Sequence, residues 1–236
     1  MTCGRVRDTT RVVIPLRDNI PTRTFPIITV CLLVVNTLLF LYGAFMSTGA
    51  EKALVVRYGL VAREFVLSVY EHPWLLPYNV LTMFTSMFLH GGFFHFGGNM
   101  LYLWIFGNNI EDAVGHVRFI FFYGLSGVAA ALFQIIYDPA ADIPMIGASG
   151  AISGVLGAYL LLFPYARIKT LIFVFIFVTT VELPAVLLLT IWFFMQILFS
   201  QTQGVAWFAH IGGFLFGLVT IKLFTLGKRK VAPKSR

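Results

Sequence analysis

The stretch "MIGASGAISG" (145–154) sets Ser149 between Gly147 and Gly150, just after the acidic loop "DPAADIP" and just before an apolar run. A serine hydroxyl becomes a useful nucleophile beside a base, and His210, in "AHIGGFLFG" (209–217), is the one histidine within the later apolar runs. Acyl transfer also needs donors for the oxyanion that forms on the attacked carbonyl. His95 and Asn99 lie four residues apart, on one helical face, and can supply two such donors. A helix opening at Ser149 would add a site that favours developing negative charge, and Gly147 and Gly150 let backbone approach it closely. The chemistry these residues suggest is hydrolysis through a serine.

Such groups need a scaffold, and the composition says which kind. With 58% hydrophobic and 11% charged residues, the chain is far too apolar for a soluble surface. A helical span takes roughly 20 apolar residues, so 236 residues leave room for about six. Spans are expected near 27–46, 93–111, 117–137, 148–163, 180–200 and 204–226, each bounded by charge, proline or glycine. The expected fold is an all-α membrane protein, a six-transmembrane-helix bundle over 27–226. An arm at 1–26 and a basic tail at 227–236 flank it. "TLIFVFIFV" (170–178), rich in β-branched and aromatic residues, is too short to span and reads as a connector against the bundle. "EHPWLLPY", within the long connection 50–92, has the composition of an interfacial element.

Charge sets the expected orientation. On a six-span topology, 14 of the 17 Lys and Arg fall on one face, including Arg5, Arg7, Arg11, Arg17, Arg23 and the C-terminal cluster. The positive-inside rule then makes both termini cytoplasmic. The net charge of +7 reflects topology and contact with anionic membrane lipid; without interleaved aromatics the basic ends do not suggest nucleic acid. Cys3 would lie on the reducing side and Cys31 inside the membrane, so neither a disulfide nor a thiol-ligated metal is expected.

On this topology Ser149, His210, His95 and Asn99 all approach from the outer side, to similar depth. Ser149 to Phe163 is too short to cross a core of about 30 Å, so this helix should begin below the surface and open into a water-filled cavity. Gly213 and Gly217 are four apart, as are Gly150 and Gly154, so the fourth and sixth spans can pack closely. Gly- and Ser-rich faces also serve packing alone, and a lone intramembrane histidine is as often a proton site as a base. His72 and His116 fall in loops, where solvation is the default. Glu111 and Asp112, at the inner end of the second span, are expected to be solvated or bonded to a neighbouring loop. A channel would need polar groups continuing inward, whereas "GAYLLLFP" and "FLFGLVTIKLF" are nearly all apolar.

Taken together, "HGGFFHFGGN" (90–99), "GNNIEDAVGHVRFIFFYGLSG" (107–127), "GASGAISGVLGAY" (147–159) and "AHIGGFLFG" (209–217) resemble the rhomboid family of intramembrane serine proteases. The resemblance covers most of residues 75–225. It implies Ser149 as nucleophile, His210 as base, and His95, Asn99 and the Ser149 N–H as oxyanion donors. His90 would tie the first loop to the second span, and Glu111 would brace the loop joining spans two and three. It implies a Ser–His dyad without a carboxylate; Asp142 is near in sequence but in a loop. Some family members stack the histidine on an aromatic four residues after the nucleophile, and here that position is Ser153.

The resemblance also implies the substrates, transmembrane proteins cut near their outer ends, and no cofactor or metal. The chain has neither an H-E-x-x-H motif nor a pair of aspartates within spans, so metallo- and aspartyl chemistries lack their parts. The alternative is a catalytically inactive rhomboid-like protein that binds transmembrane helices. Short loops favour a prokaryotic plasma membrane.

Overall fold

The computed structural model describes residues 13–174, 177–198 and 205–227. Arg5, Arg7, Arg11, Cys3 and the tail from 228 onward lie outside the described residues.

The first strand, β1 (Val13–Asp18), leads into helix α1 (Ile27–Ala44), a mostly apolar run that starts after Pro26. The long connection folds into α2 (Thr48–Tyr58), α3 (Ala62–Tyr70) and α4 (Leu76–Thr85). The expected second span is composite: α5 (Phe93–Tyr102), a π-turn over Leu103–Gly107, then α6 (Asn108–Val114). Gly115, at φ +86°, turns the chain into α7 (His116–Tyr137). Then come α8 (Ser149–Leu162), strands β2 (Arg167–Val174) and β3 (Phe177–Pro184), α9 (Ala185–Leu198) and α10 (Trp207–Thr225).

The fold is mostly helical, and three helices, α1, α7 and α10, are long and apolar enough to cross a membrane. Apolar helices α8 and α9 have 14 residues each, about 21 Å at 1.5 Å per residue, short of a full crossing. The α8–α10 contact lies at the centre, with α7 against both. A Cβ on Gly213 would collide with the Gly150 carbonyl, one on Gly217 with that of Gly154, and one on Gly157 with that of Phe214. These backbones therefore touch. Beneath them Phe106, Tyr159, Phe119, Phe122 and Leu156 are fully buried.

A purely helical fold is not what forms. The described residues of the run at 170–178, expected as a connector, enter an antiparallel three-stranded sheet ordered β1-β2-β3. Arg167 pairs with Pro184 and Val174 with Phe177, so the expected span at 180–200 begins as helix only at Ala185. The outer strand β1 comes from the arm before α1, with Asp18 opposite Ile168. Its register breaks between Pro15 and Arg17, where proline has no N–H to give. β-Branched residues suit the pleat, and pairing satisfies backbone groups that a loop would leave open.

Asp18 reaches inward from this sheet. Its Oδ2 accepts from the Tyr159 hydroxyl of α8 at 2.6 Å and from Asn109 Nδ2 of α6. Burial outweighs these bonds and raises its carboxyl to about 6.

Candidate active site

The approach to Ser149 is held from both sides. Leu60 and Met145 exchange backbone bonds of 3.1 and 2.7 Å, and the Gly147 N–H donates to the Ser86 carbonyl at 2.9 Å. Gly147 has φ +119°, and a Cβ there would lie 2.6 Å from His95 Nε2. Both the conformation and the space therefore call for glycine. Ser149 then opens α8, where first-turn N–H groups have no partner inside the helix.

His210 sits in the first turn of α10. The preceding Ala209 N–H is shared between the Ala206 carbonyl at 3.1 Å and Gln134 Oε1 of α7 at 3.2 Å, which ties this turn to α7. With the α8 and α10 backbones in contact, His210 Nε2 comes 2.8 Å from Ser149 Oγ. That is hydrogen-bond distance for a nucleophile and its base.

Both line a cavity of about 310 Å³ that His95, Asn99, Trp192 and Trp207 also line. Asn99 is buried, and its Nδ2 has no hydrogen-bond partner among the described residues. A buried donor without a partner is costly, and one that faces a cavity is available to a ligand oxygen. His95 lies on the same face of α5, at the Gly147 turn. Ile152 and Leu156 give the cavity apolar walls. Packed side chains, with Phe106 and Tyr159 ring centroids 4.9 Å apart, fill the space near them. Such packing gives no support to a channel.

The other expected site residues fall around this centre. His90 is buried just ahead of α5, edge-on to His95 at 5.2 Å and to Phe96 at 5.5 Å. Gly150 and Gly213 serve the helix seam: Gly150 faces Ala130 of α7, where a Cβ would come within 2.7 Å, and Gly213 faces the Gly150 carbonyl. So Gly147 alone of the first pair brings backbone to the donors. Glu111 is fully buried, contrary to a solvated placement. Its Oε1 accepts from the Ile28 N–H at 2.9 Å, and its Oε2 from the Thr29 N–H and hydroxyl at 2.8 and 2.7 Å, capping α1. His116, expected to be solvated, sets Nδ1 2.5 Å from Glu111 Oε1, so the carboxylate also reaches the turn between α6 and α7. Asp112 accepts from the Thr24 N–H and hydroxyl at 2.9 and 2.6 Å.

No carboxylate bonds His210 among the described residues; Asp142 pairs instead with exposed Arg63 at 3.1 Å. The partner of His210 Nδ1 is Gln196 Oε1 of α9, at 2.8 Å. Ser153 turns its hydroxyl to the Ser149 carbonyl at 2.6 Å, and the rings beside His210 are Trp192 and Trp207, each centred 6.1 Å away. Sequence alone assigns Gln196 no role: an amide within the apolar run "IWFFMQILF" is a signal, but it names no partner. No group of three potential metal ligands occurs among the described residues.

Comparisons with known proteins identify relatives of this chain. The chain is 41% identical over 99 residues to Rhomboid protein 1, mitochondrial, of Saccharomyces cerevisiae, covering 40% of this chain and 28% of that protein. It is 37% identical over 78 residues to Rhomboid protease GluP of Bacillus subtilis, covering 33% and 15%. To Presenilin-associated rhomboid-like protein, mitochondrial, of Mus musculus it is 31% identical over 142 residues, covering 58% and 36%. The matches thus span well under half of these relatives' lengths. The Rhomboid domain profile matches residues 77–226, taking in α4 to α10 and every residue that lines the cavity. This chain is a multi-pass membrane protein of the rhomboid family.

Proposed function

We propose that the chain is an intramembrane serine endopeptidase that hydrolyses peptide bonds of transmembrane proteins near the outer membrane face. The observation that carries this reading is the 2.8 Å contact between Ser149 Oγ and His210 Nε2 at a cavity that also presents the Asn99 amide. Ser149 Oγ attacks the scissile carbonyl while its proton passes to His210 Nε2. The oxyanion is met by His95, Asn99 and the Ser149 N–H. His210 then protonates the leaving amine, and water, activated by the same imidazole, releases the acyl group.

On this reading six segments form the membrane bundle, α1, the composite α5–α6, α7, the short α8 and α9, and α10, with both termini cytoplasmic. Substrate helices weak near the cut are favoured, since a helix must unwind to expose a carbonyl in lipid. A prokaryotic plasma membrane is the proposed location, resting on the short loops; the relatives named above include both bacterial and mitochondrial proteins.

The test is reaction of the detergent-purified protein with a fluorescent fluorophosphonate. The parent is expected to label and to cleave a model transmembrane substrate. Ser149→Ala and His210→Ala should each lower cleavage by at least about 10³-fold. A folded parent that neither labels nor cleaves would overturn the proposal in favour of a helix-binding protein.

A further inference from the structure

The structure assigns Gln196 as the positioning residue of the catalytic histidine, making a Ser149–His210–Gln196 relay in which an amide holds the place a carboxylate often takes. This inference rests on the serine-protease reading above and names the group that orients its base.

The argument runs through hydrogen-bond identities. Gln196 is buried on α9, and its two amide atoms look alike in size, so neighbours must decide which is oxygen. One of them lies 3.0 Å from the Trp192 backbone carbonyl, which can only accept, so that atom is the NH₂. The other, 2.8 Å from His210 Nδ1, is therefore the oxygen, and it can only accept. Nδ1 must then carry the hydrogen, which leaves a lone pair on Nε2 in the neutral ring. That lone pair faces Ser149 Oγ at 2.8 Å, the state a general base requires. Turning the amide over would set oxygen against oxygen at Trp192, so the backbone of α9 itself selects the tautomer of a histidine on α10.

Trp192 lies one turn before Gln196 and adds its ring beside His210. The histidine is thus fixed by an amide on one edge and indoles on its flanks, where Ser153 offers no ring. An amide also suits the location. It orients imidazole without placing a charge among apolar side chains, where an unpaired carboxylate would be expensive. The cost is electrostatic, because Gln196 cannot neutralise the imidazolium as a carboxylate would.

The experiment compares Gln196→Leu and Gln196→Glu with the parent on a model transmembrane substrate, with thermal unfolding measured alongside. Gln196→Leu should lower kcat by about 10- to 100-fold, part of the ~10²–10⁴ that a general base contributes, with KM held and a cooperative unfolding transition retained. Gln196→Glu, whose carboxyl oxygen still accepts from Nδ1, should recover kcat to within about threefold of the parent. Should the leucine variant fail to fold, Gln196→Met takes its place. Parent-like kcat in the leucine or methionine variant, or no recovery in the folded glutamate variant, would overturn the inference while the parent's activity leaves the protease reading standing. A parent that does not label with fluorophosphonate would remove both.

Discussion

Two regions of this molecule hold helices together by opposite means. Between α8 and α10 the contact is steric: Gly157, Gly213 and Gly217 bring two backbones together with no room for a methyl group, while Gly150 and Gly154 turn their own bare sides to α7. At the N-terminal end of α1 the contact is polar: Glu111, Asp112 and Asp18 receive backbone, hydroxyl and amide donors from the arm, α1, α6 and α8. Only 17% of the spanning stretch of α1 is buried against protein, compared with 44% for α7, so packing alone does little to hold α1. A seam made of absent atoms fixes distance, and fixing distance is what a nucleophile and base need. A clasp made of hydrogen bonds fixes attachment and can be weakened in steps.

The sharpest way to break the comparison is Gly217→Leu, which drives a side chain into the Gly154 carbonyl. It should destabilise by about 3 kcal/mol or more and abolish cleavage, since any relief separates Ser149 from His210. Cleavage of the model substrate together with thermal unfolding will show it. Glu111→Ala comes next. It strands the Ile28 and Thr29 N–H groups in a buried setting, with an expected loss of about 1–3 kcal/mol in unfolding and cleavage reduced far less than by Gly217→Leu. If the glutamate variant disables cleavage as fully as the glycine variant does, the two regions do not differ as described.

The smallest effect is expected at Asp18. Its carboxyl is raised to about 6 from an ordinary 3.8, so over that interval the folded protein holds a proton that the unfolded chain has released. This contribution to stability is fully present below about pH 4 and is lost as pH rises through about 6. Asp18→Asn, which keeps an acceptor for Tyr159, should remove that dependence. The unfolding temperatures of parent and variant, compared between pH 4 and pH 7, should diverge as pH rises, with the parent falling relative to the variant.

Sequence made the site more legible than the frame around it. Ser149, His210, His95 and Asn99 stand out because polar groups are rare in apolar runs, and the glycine spacing on two helices says which of them can meet. Gln196 escaped because its meaning is relational: an amide in a span becomes informative only once its neighbours, the Trp192 carbonyl and His210, are known. The sheet escaped for a different reason. β1 lies in an arm that reads only as basic, and its partner β2 is some 150 residues away, beyond the reach of local periodicity. Asp112 was named without a partner, and the Thr24 groups that bond it lie far upstream.

The π-turn at Leu103–Gly107 carries a consequence for insertions and deletions in this chain. A π-turn accommodates one residue more than the α-helix would, and each residue of an α-helix turns the chain by about 100°. The segment thus works as two keys cut at different angles on one shaft: above the turn His95 and Asn99 address the cavity, and below it Asn109 and Glu111 address Asp18 and α1. Losing a single residue between 103 and 107 would straighten the shaft while leaving each key intact. Only one could then still enter its lock.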